Sequence, residues 1–401
     1  MAVRNYGKNQ IIAKQENITL IKSLLYRYGP LSRAQIAEML ELTPPTITNI
    51  TAELITDGIL QEIPDQPGEK TGKAGRHPVL LDYVPDAKYA LGISLGRDRT
   101  HYCICDLKGN MAVKGEEKVM PADYGRMMQS LCRLIDSVRD SHPDLWNRLI
   151  GIGVAVPAVV DAHTGTVCQI DSHRSSWQNQ RPADEIAERY GLPVRIENNV
   201  RARTILLSLF YPEAVAGCDS FVLCYASWGI AGPMILQNRS VRGEYGAAGE
   251  IGHMVMDPVS GKTLEEFSSL RYVLKTAGEL LKEGKAPVLA EICSDPEKLT
   301  VDHIHQAQTA GDADIGRLMD SAMHYMGTAL ANIISFMNPD LIVLGGPMFA
   351  LEQNRNTAEQ VMRRYSYSAD TDHTQIRYVF FDEYGGAAAA AAVCLDKYFV
   401  R

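Results

Sequence analysis

Between Gln15 and Tyr28 the apolar residues Ile18, Ile21, Leu24, Leu25 and Tyr28 recur at helical spacing, and Gly29-Pro30 ends the run. Ser32 opens S-R-A-Q, a capping box in which Ser32 and Gln35 each satisfy an orphan amide. A short helix follows with Ile36, Ala37 and Leu40 inward. After the turn Glu41-Leu42, Thr43 can cap a third helix whose first turn accepts Pro44 and Pro45, where amides have no helical partner. Ile47, Ile50 and Leu54 mark its buried side, so Pro45, Thr48, Asn49 and Ala52 point outward. Two short helices joined by a tight turn, the second exposing small polar residues, describe a helix-turn-helix. Ile59–Ile63 and Val79–Tyr83 read as strands flanking PDQPGEKTGKAGR, a β-wing.

From Tyr89 the pattern changes to that of an α/β domain. Tyr89–Gly96, His101–Asp106 and Met111–Glu117 form a predicted meander, followed by a helix over 122–141 and a buried strand at Leu149–Val156. The order recurs more weakly at Ser220–Tyr225, Ile230–Gln237, a helix over 313–337 and a strand at Leu341–Leu344. This divides the 401 residues into a head at 1–83 and two lobes at 84–212 and 213–401.

Charge sharpens the division. Residues 1–83 hold nine Lys/Arg and nine Asp/Glu, so the net −8 belongs wholly to the body. A neutral head on an acidic body suits a small DNA-contacting module carried by a sensor. The third helix offers no Lys or Arg, so phosphate contacts must come from elsewhere. Ser32, Arg33, Pro45, Thr46, Thr48 and Asn49, with the loop residues Lys70, Lys73 and Arg76, are the candidate DNA contacts. Arg76, within Gly75-Arg76-His77, can lie in a narrow minor groove. No apolar run reaches the ~18 residues of a membrane span, and the N-terminus lacks the apolar core of a signal peptide; a cytoplasmic location follows as the expectation. The eight cysteines form no C-x-x-C pair, so they indicate neither a disulfide framework nor a zinc ribbon.

Four stretches, GAAGEIGHM (246–254), IENNVRA (196–202), NPDLIVLGGPM (338–348) and GGAAAAAA (385–392), resemble the ROK family of bacterial sugar repressors and sugar kinases. The resemblance implies a winged helix-turn-helix followed by a two-lobed, actin-like, ribonuclease H-like sugar-kinase fold. It also implies which groups kinase chemistry requires. The family's catalytic Asp stands third in E-N-D, where this chain has Asn199, and an amide cannot accept the hydroxyl proton. The D-x-G-G-T phosphate loop appears as Ser94-Leu95-Gly96-Arg97-Asp98, and the G-T-G-x-G loop as Ala226-Ser227-Trp228-Gly229-Ile230. The family's zinc cysteines have no counterpart in MVMDPVSGKTLEEFSS (254–269). Neither catalysis, nor a cofactor, nor a metal is therefore expected. The sugar-binding groups survive in Asn198, Asn199, Glu250, His253 and Glu265. The expectation is a sugar-responsive repressor that binds operator DNA and a sugar or sugar derivative in a kinase-like cleft, as a homodimer or tetramer, without a membrane. An active kinase bearing a DNA-binding head, and a DNA-binding protein governed by a partner protein, remain the alternatives.

Overall fold

The computed structural model describes residues 6–64, 79–161, 164–170, 172–367 and 373–401. These divide into two units, Met1–Ala216 with Glu383–Arg401, and Gly217–Asp382. The head thus shares a unit with the first lobe, which the C-terminal segment rejoins.

The head comprises α1 (Tyr6–Tyr28), α2 (Arg33–Met39), α3 (Pro44–Thr56) and a three-stranded sheet in the order Leu31–Ser32, Val79–Tyr83, Leu60–Pro64. The capping box forms: the Ser32 side chain accepts from the Gln35 amide while Gln35 Oε1 accepts from the Ser32 amide. Thr43 occupies the position before α3 without a side-chain cap; its hydroxyl instead meets that of Thr46 at 2.8 Å. Ile21, Ile36 and Ile47, all fully buried, close the core. On α1 Tyr26 is buried and Tyr28 exposed, because Tyr26 packs on Tyr83 and reaches Leu107 of the first lobe. Tyr26 Oη donates to the carbonyl of Leu107, Tyr83 Oη donates to that of Lys22, and their rings lie 4.6 Å apart. Lys22 Nζ reaches the Phe399 carbonyl, and Lys108 pairs with Asp82 at 2.6 Å.

The rest of the first unit is built on a five-stranded sheet in the order Val194–Asn198, Leu149–Val156, Tyr89–Leu95, Arg99–Asp106, Met111–Lys118. The first three strands run parallel and the last two complete an antiparallel meander. The alanine-rich helix Gly385–Leu395 is buried along its whole length. It lies so close to the sheet that a Cβ on Gly153 would fall 1.8 Å from the Ala390 carbonyl oxygen. Only glycine fits there.

The second unit repeats the topology. Its sheet runs Arg239–Val241, Met234–Leu236, Phe221–Ala226, Leu341–Gly345, Gln375–Val379, with Ile230–Ala231 also paired to Phe221–Ala226. Numbered along the chain, the path in both sheets reads 3-2-1-4-5, which is the repeat of the ribonuclease H-like fold. The predicted strand Ile230–Gln237 is two short strands, because Gly232-Pro233 interrupts it and Pro lacks the ladder amide. The long helix Ala313–Met337 supplies much of this unit's core through Ile315, Met319, Met323, Met326 and Leu330.

Candidate functional site

In the head, the outward row Pro45, Thr48 and Asn49 is exposed, Thr46 partly so. Thr48 Oγ1 donates to the Pro44 carbonyl, which leaves its methyl and lone pairs outward, and Asn49 forms no side-chain hydrogen bond among the described residues. Ser32 is buried, with its hydroxyl held by Gln35. Arg33 is committed internally: Nε donates to Thr51 Oγ1 at 3.1 Å and Nη1 to Glu62 Oε1 at 2.8 Å. It fixes α2 against α3 and the wing strand. Lys70, Lys73 and Arg76 lie outside the described residues.

In the first unit the strand Val194–Asn198 runs directly into the helix Asn199–Phe210. Asn198 caps that helix: Oδ1 accepts from the amides of Val200 and Arg201 at 2.9 and 3.1 Å, and Nδ2 donates to the Ala158 carbonyl. Its amide therefore orients the motif, since both ends are engaged. Asn199, one residue on, is half-buried with no side-chain partner among the described residues. Glu197 and Arg201 form a buried ion pair at 3.3 Å, with side chains 1% and 2% exposed. Losing either would strand a buried charge. Arg203 Nη1 donates to the Asn199 carbonyl at 2.9 Å. Sequence reasoning missed Arg203, although its i+4 spacing from Asn199 puts both on one helical face.

In the second unit Glu250 precedes the short turn Ile251–His253 and lines a cavity of about 340 Å³ with Met234, Ile251, Met254, Asn332 and Ile333. His253 is exposed. Glu265 begins the short helix Glu265–Ser268, and its Oε1 accepts from the Ile230 amide at 2.9 Å while Oε2 lies 3.5 Å from Arg271. A Cβ on Gly229 or Gly252 would come within 2.8 Å of that carboxylate. Glu265 thus ties the 227–230 turn to the GEIGH turn. It has one oxygen committed to the backbone before any ligand arrives.

A protein-family model described as the ROK family matches residues 90–397. The chain belongs to the ROK family. Among its relatives, the xylose repressor of Caldicellulosiruptor bescii is 28% identical over 347 residues, spanning 84% of each chain. In solved structures the fold resembles a ROK family transcriptional regulator, a homolog of the Escherichia coli Mlc protein, with TM-score 0.80, 24% identity and coverage of 97% and 98% of the two chains. It also resembles a ROK family glucokinase from Streptomyces griseus in complex with glucose and AMPPNP, with TM-score 0.65, 21% identity and coverage of 76% and 98%. That the match with the regulator takes in nearly the whole chain, and the match with the kinase only three quarters, reflects the head.

Within this ROK body the altered loops have local explanations. At the 226–230 turn the Ser227 amide donates to the Gly229 carbonyl and the Ile230 amide to Glu265. Two amides of a phosphate loop are thereby occupied, one of them by a carboxylate. Where zinc ligands stand in many ROK proteins, the 254–264 segment is a hairpin. Val255 bridges Thr263, and Asp257 accepts from the Val259 amide and the Ser260 hydroxyl. Those hydrogen bonds, led by the one from Ser260, hold the Asp257 carboxyl below its ordinary range. The Gly345-Gly346 pair makes a tight exit from its strand: Gly346 has φ of 96°, and a Cβ there would meet the Ala226 carbonyl oxygen at 2.3 Å. No helix among the described residues is long and apolar enough to cross a membrane.

Proposed function

We propose that this protein is a sugar-responsive transcriptional repressor, binding operator DNA through the head and a sugar or sugar derivative through the ROK body, without kinase activity. The observation that carries the reading is the pairing of a helix-turn-helix, whose second helix turns the exposed polar residues Thr48 and Asn49 outward, with a ROK body that has an amide, Asn199, at the place of the catalytic carboxylate. That relatives of this chain are a xylose repressor and the transcriptional repressor Mlc supports it.

On this reading Thr46, Thr48 and Asn49 meet base edges or phosphates, with Pro45 beside them, and Lys70, Lys73 and Arg76 supply wing contacts to the backbone and minor groove. Ser32 and Arg33 act chiefly by holding the recognition helix in place. Asn199, Glu250 and His253 offer the mixture of donors and acceptors that a polyol needs, since each hydroxyl both donates and accepts. Asn198 and Glu265 set the positions of the two motifs. Coupling requires that the sugar bind more tightly to the conformation with low operator affinity, because equal affinity for both shifts nothing. A two-fold dimer would space half-sites about one helical turn, or a multiple, apart.

The test combines operator binding with enzymology. In vitro selection from random duplexes supplies the operator. A panel of pentoses, hexoses and N-acetylhexosamines is then screened for release of that operator and, in a coupled assay, for sugar-dependent ATP turnover. Release by at least one sugar without turnover is the expected pair of results. Phosphorylation of any sugar by the natural protein would instead make it a kinase with a DNA-binding head.

A further inference from the structure

Two sides of α1 are already packed. Ile21 and Leu25 are buried in the head, while Lys22 and Tyr26 reach the backbone at Phe399 and Leu107. On the side left over, residues four apart make one ridge: Ile12, Glu16, Leu20, Leu24 and Tyr28. Ile12 is 54% exposed, Leu20 46% and Tyr28 49%, with Leu24 partly buried between them. Glu16 is exposed and forms no hydrogen bond or ion pair among the described residues. Arg27, in the last turn beside the ridge, holds its guanidinium over the Tyr28 ring, 5.2 Å from the centroid. A helix buried on two sides needs a polar third side to face water; this one carries an apolar ridge there.

The ridge is complementary to itself in one register. Lay two copies of α1 antiparallel about a two-fold axis midway between Leu20 and Leu24, and Leu20 of each copy meets Leu24 of the other. The same register brings Glu16 of each copy to Tyr28 and Arg27 of the other, so each carboxylate gains a phenol donor and a guanidinium. Moving the axis to Leu20 sets Glu16 against Leu24 and covers the carboxylate with an apolar side chain. Moving it to Leu24 carries Glu16 past the end of the helix at Tyr28. A parallel pair sets Glu16 against Glu16, like charge on like. Charge and apolar contact therefore agree on a single arrangement.

We propose that α1 is a self-pairing surface whose partner is α1 of a second copy of this chain, antiparallel, with four leucines at the centre and a Glu16–Arg27 pair at each end. The contact is small beside the roughly 1,200–2,000 Å² of a stable interface, so by itself it is weak and joins heads at high local concentration. It is independent of the sugar-sensing reading.

Cross-linking in the full-length protein tests it, because a covalent bond traps a weak contact. Leu20→Cys and Leu24→Cys are introduced together, the concentrated protein is oxidised with copper–phenanthroline, and chain-doubled product is followed on non-reducing gels. The natural protein gives the background, and Thr56→Cys, exposed on α3, is the control. The double variant links about tenfold or more faster than the control, and peptide mapping shows position 20 of one chain joined to position 24 of the other. In that background Glu16→Arg or Arg27→Glu alone sets like charges together and slows linking, whereas both together restore the rate. Every variant is taken forward only if its melting curve shows a folded chain. A rate no faster than that of Thr56→Cys overturns the pairing. So do links joining like positions, which report a parallel or shifted helix pair, and a double charge exchange that links no faster than the single ones.

Discussion

The hydroxyl of Tyr26 in the N-terminal head donates to the carbonyl oxygen of Leu107 in the first lobe, 2.8 Å away and 81 residues later in the chain. The bond is buried beside Tyr83, and burial pushes the Tyr26 phenol well above its ordinary range. It fastens the head to the lobe that carries Asn199. Tyr26→Phe keeps the ring and leaves the Leu107 carbonyl without that donor, at a cost of about 1–3 kcal/mol. The expected result is a melting temperature lower by several degrees, measured by circular dichroism. An unchanged melting curve would show that the contact does not hold the head.

The close approach of Gly385–Leu395 to its sheet gives a sharper test of packing. Gly153→Ala drives a methyl group into the Ala390 carbonyl and should cost about 3 kcal/mol or more. Gly316→Ala, in the helix Ala313–Met337 with nothing within 4 Å, should instead gain about 0.5–1 kcal/mol from helix propensity. Denaturant titration of both variants measures the contrast. Similar midpoints would contradict the packing described for the alanine-rich helix.

Burial also sets thiol chemistry. Cys224 is fully buried, which pushes its pKa up to about 12, and burial raises the Cys394 thiol as well. Neither thiol ionises appreciably at pH 8, and neither sulfur is accessible. With Ellman's reagent at that pH, Cys132, Cys168 and Cys293, which are only partly buried, should react first. Cys224 and Cys394 should wait for denaturant. Rapid labelling of either in the native protein would show that the surrounding core opens.

The head separates specificity from stability. Asn49→Ala should cost about 1–3 kcal/mol of discrimination at one base pair of the selected operator, with folding unchanged. Ser32→Ala should leave base preference alone and cost about 1 kcal/mol of stability, because its hydroxyl belongs to the capping box. Parallel selections and melting curves distinguish the two. Arg76→Ala should weaken binding most at A·T-rich positions flanking the helix contacts.

What the sequence disclosed follows from how local each signal is. The capping box at Ser32 and Gln35, the three strands of the meander and the helix over 313–337 are short-range features, and all appear in the structure. The substitution at Asn199 was legible because it replaces a proton acceptor with an amide. The cap made by Asn198, the tie from Glu265 to Ile230 and the internal bonds of Arg33 were not legible. Each depends on which backbone group a side chain meets after folding. The burial of Tyr26 was not legible for the same reason: helix periodicity shows the face toward the head's own core, not a face covered by the first lobe.

The most direct measurement of the central claim is operator affinity, by fluorescence anisotropy, as the panel of pentoses, hexoses and N-acetylhexosamines is titrated into the protein–DNA complex. The account predicts that at least one of them lowers operator affinity. His253→Ala, confirmed folded, should bind operator normally without ligand yet need about 5- to 150-fold more of it for release, the equivalent of one lost hydrogen bond of about 1–3 kcal/mol. An operator complex indifferent to every sugar of the panel, or a His253→Ala protein released at the natural concentration, would contradict it.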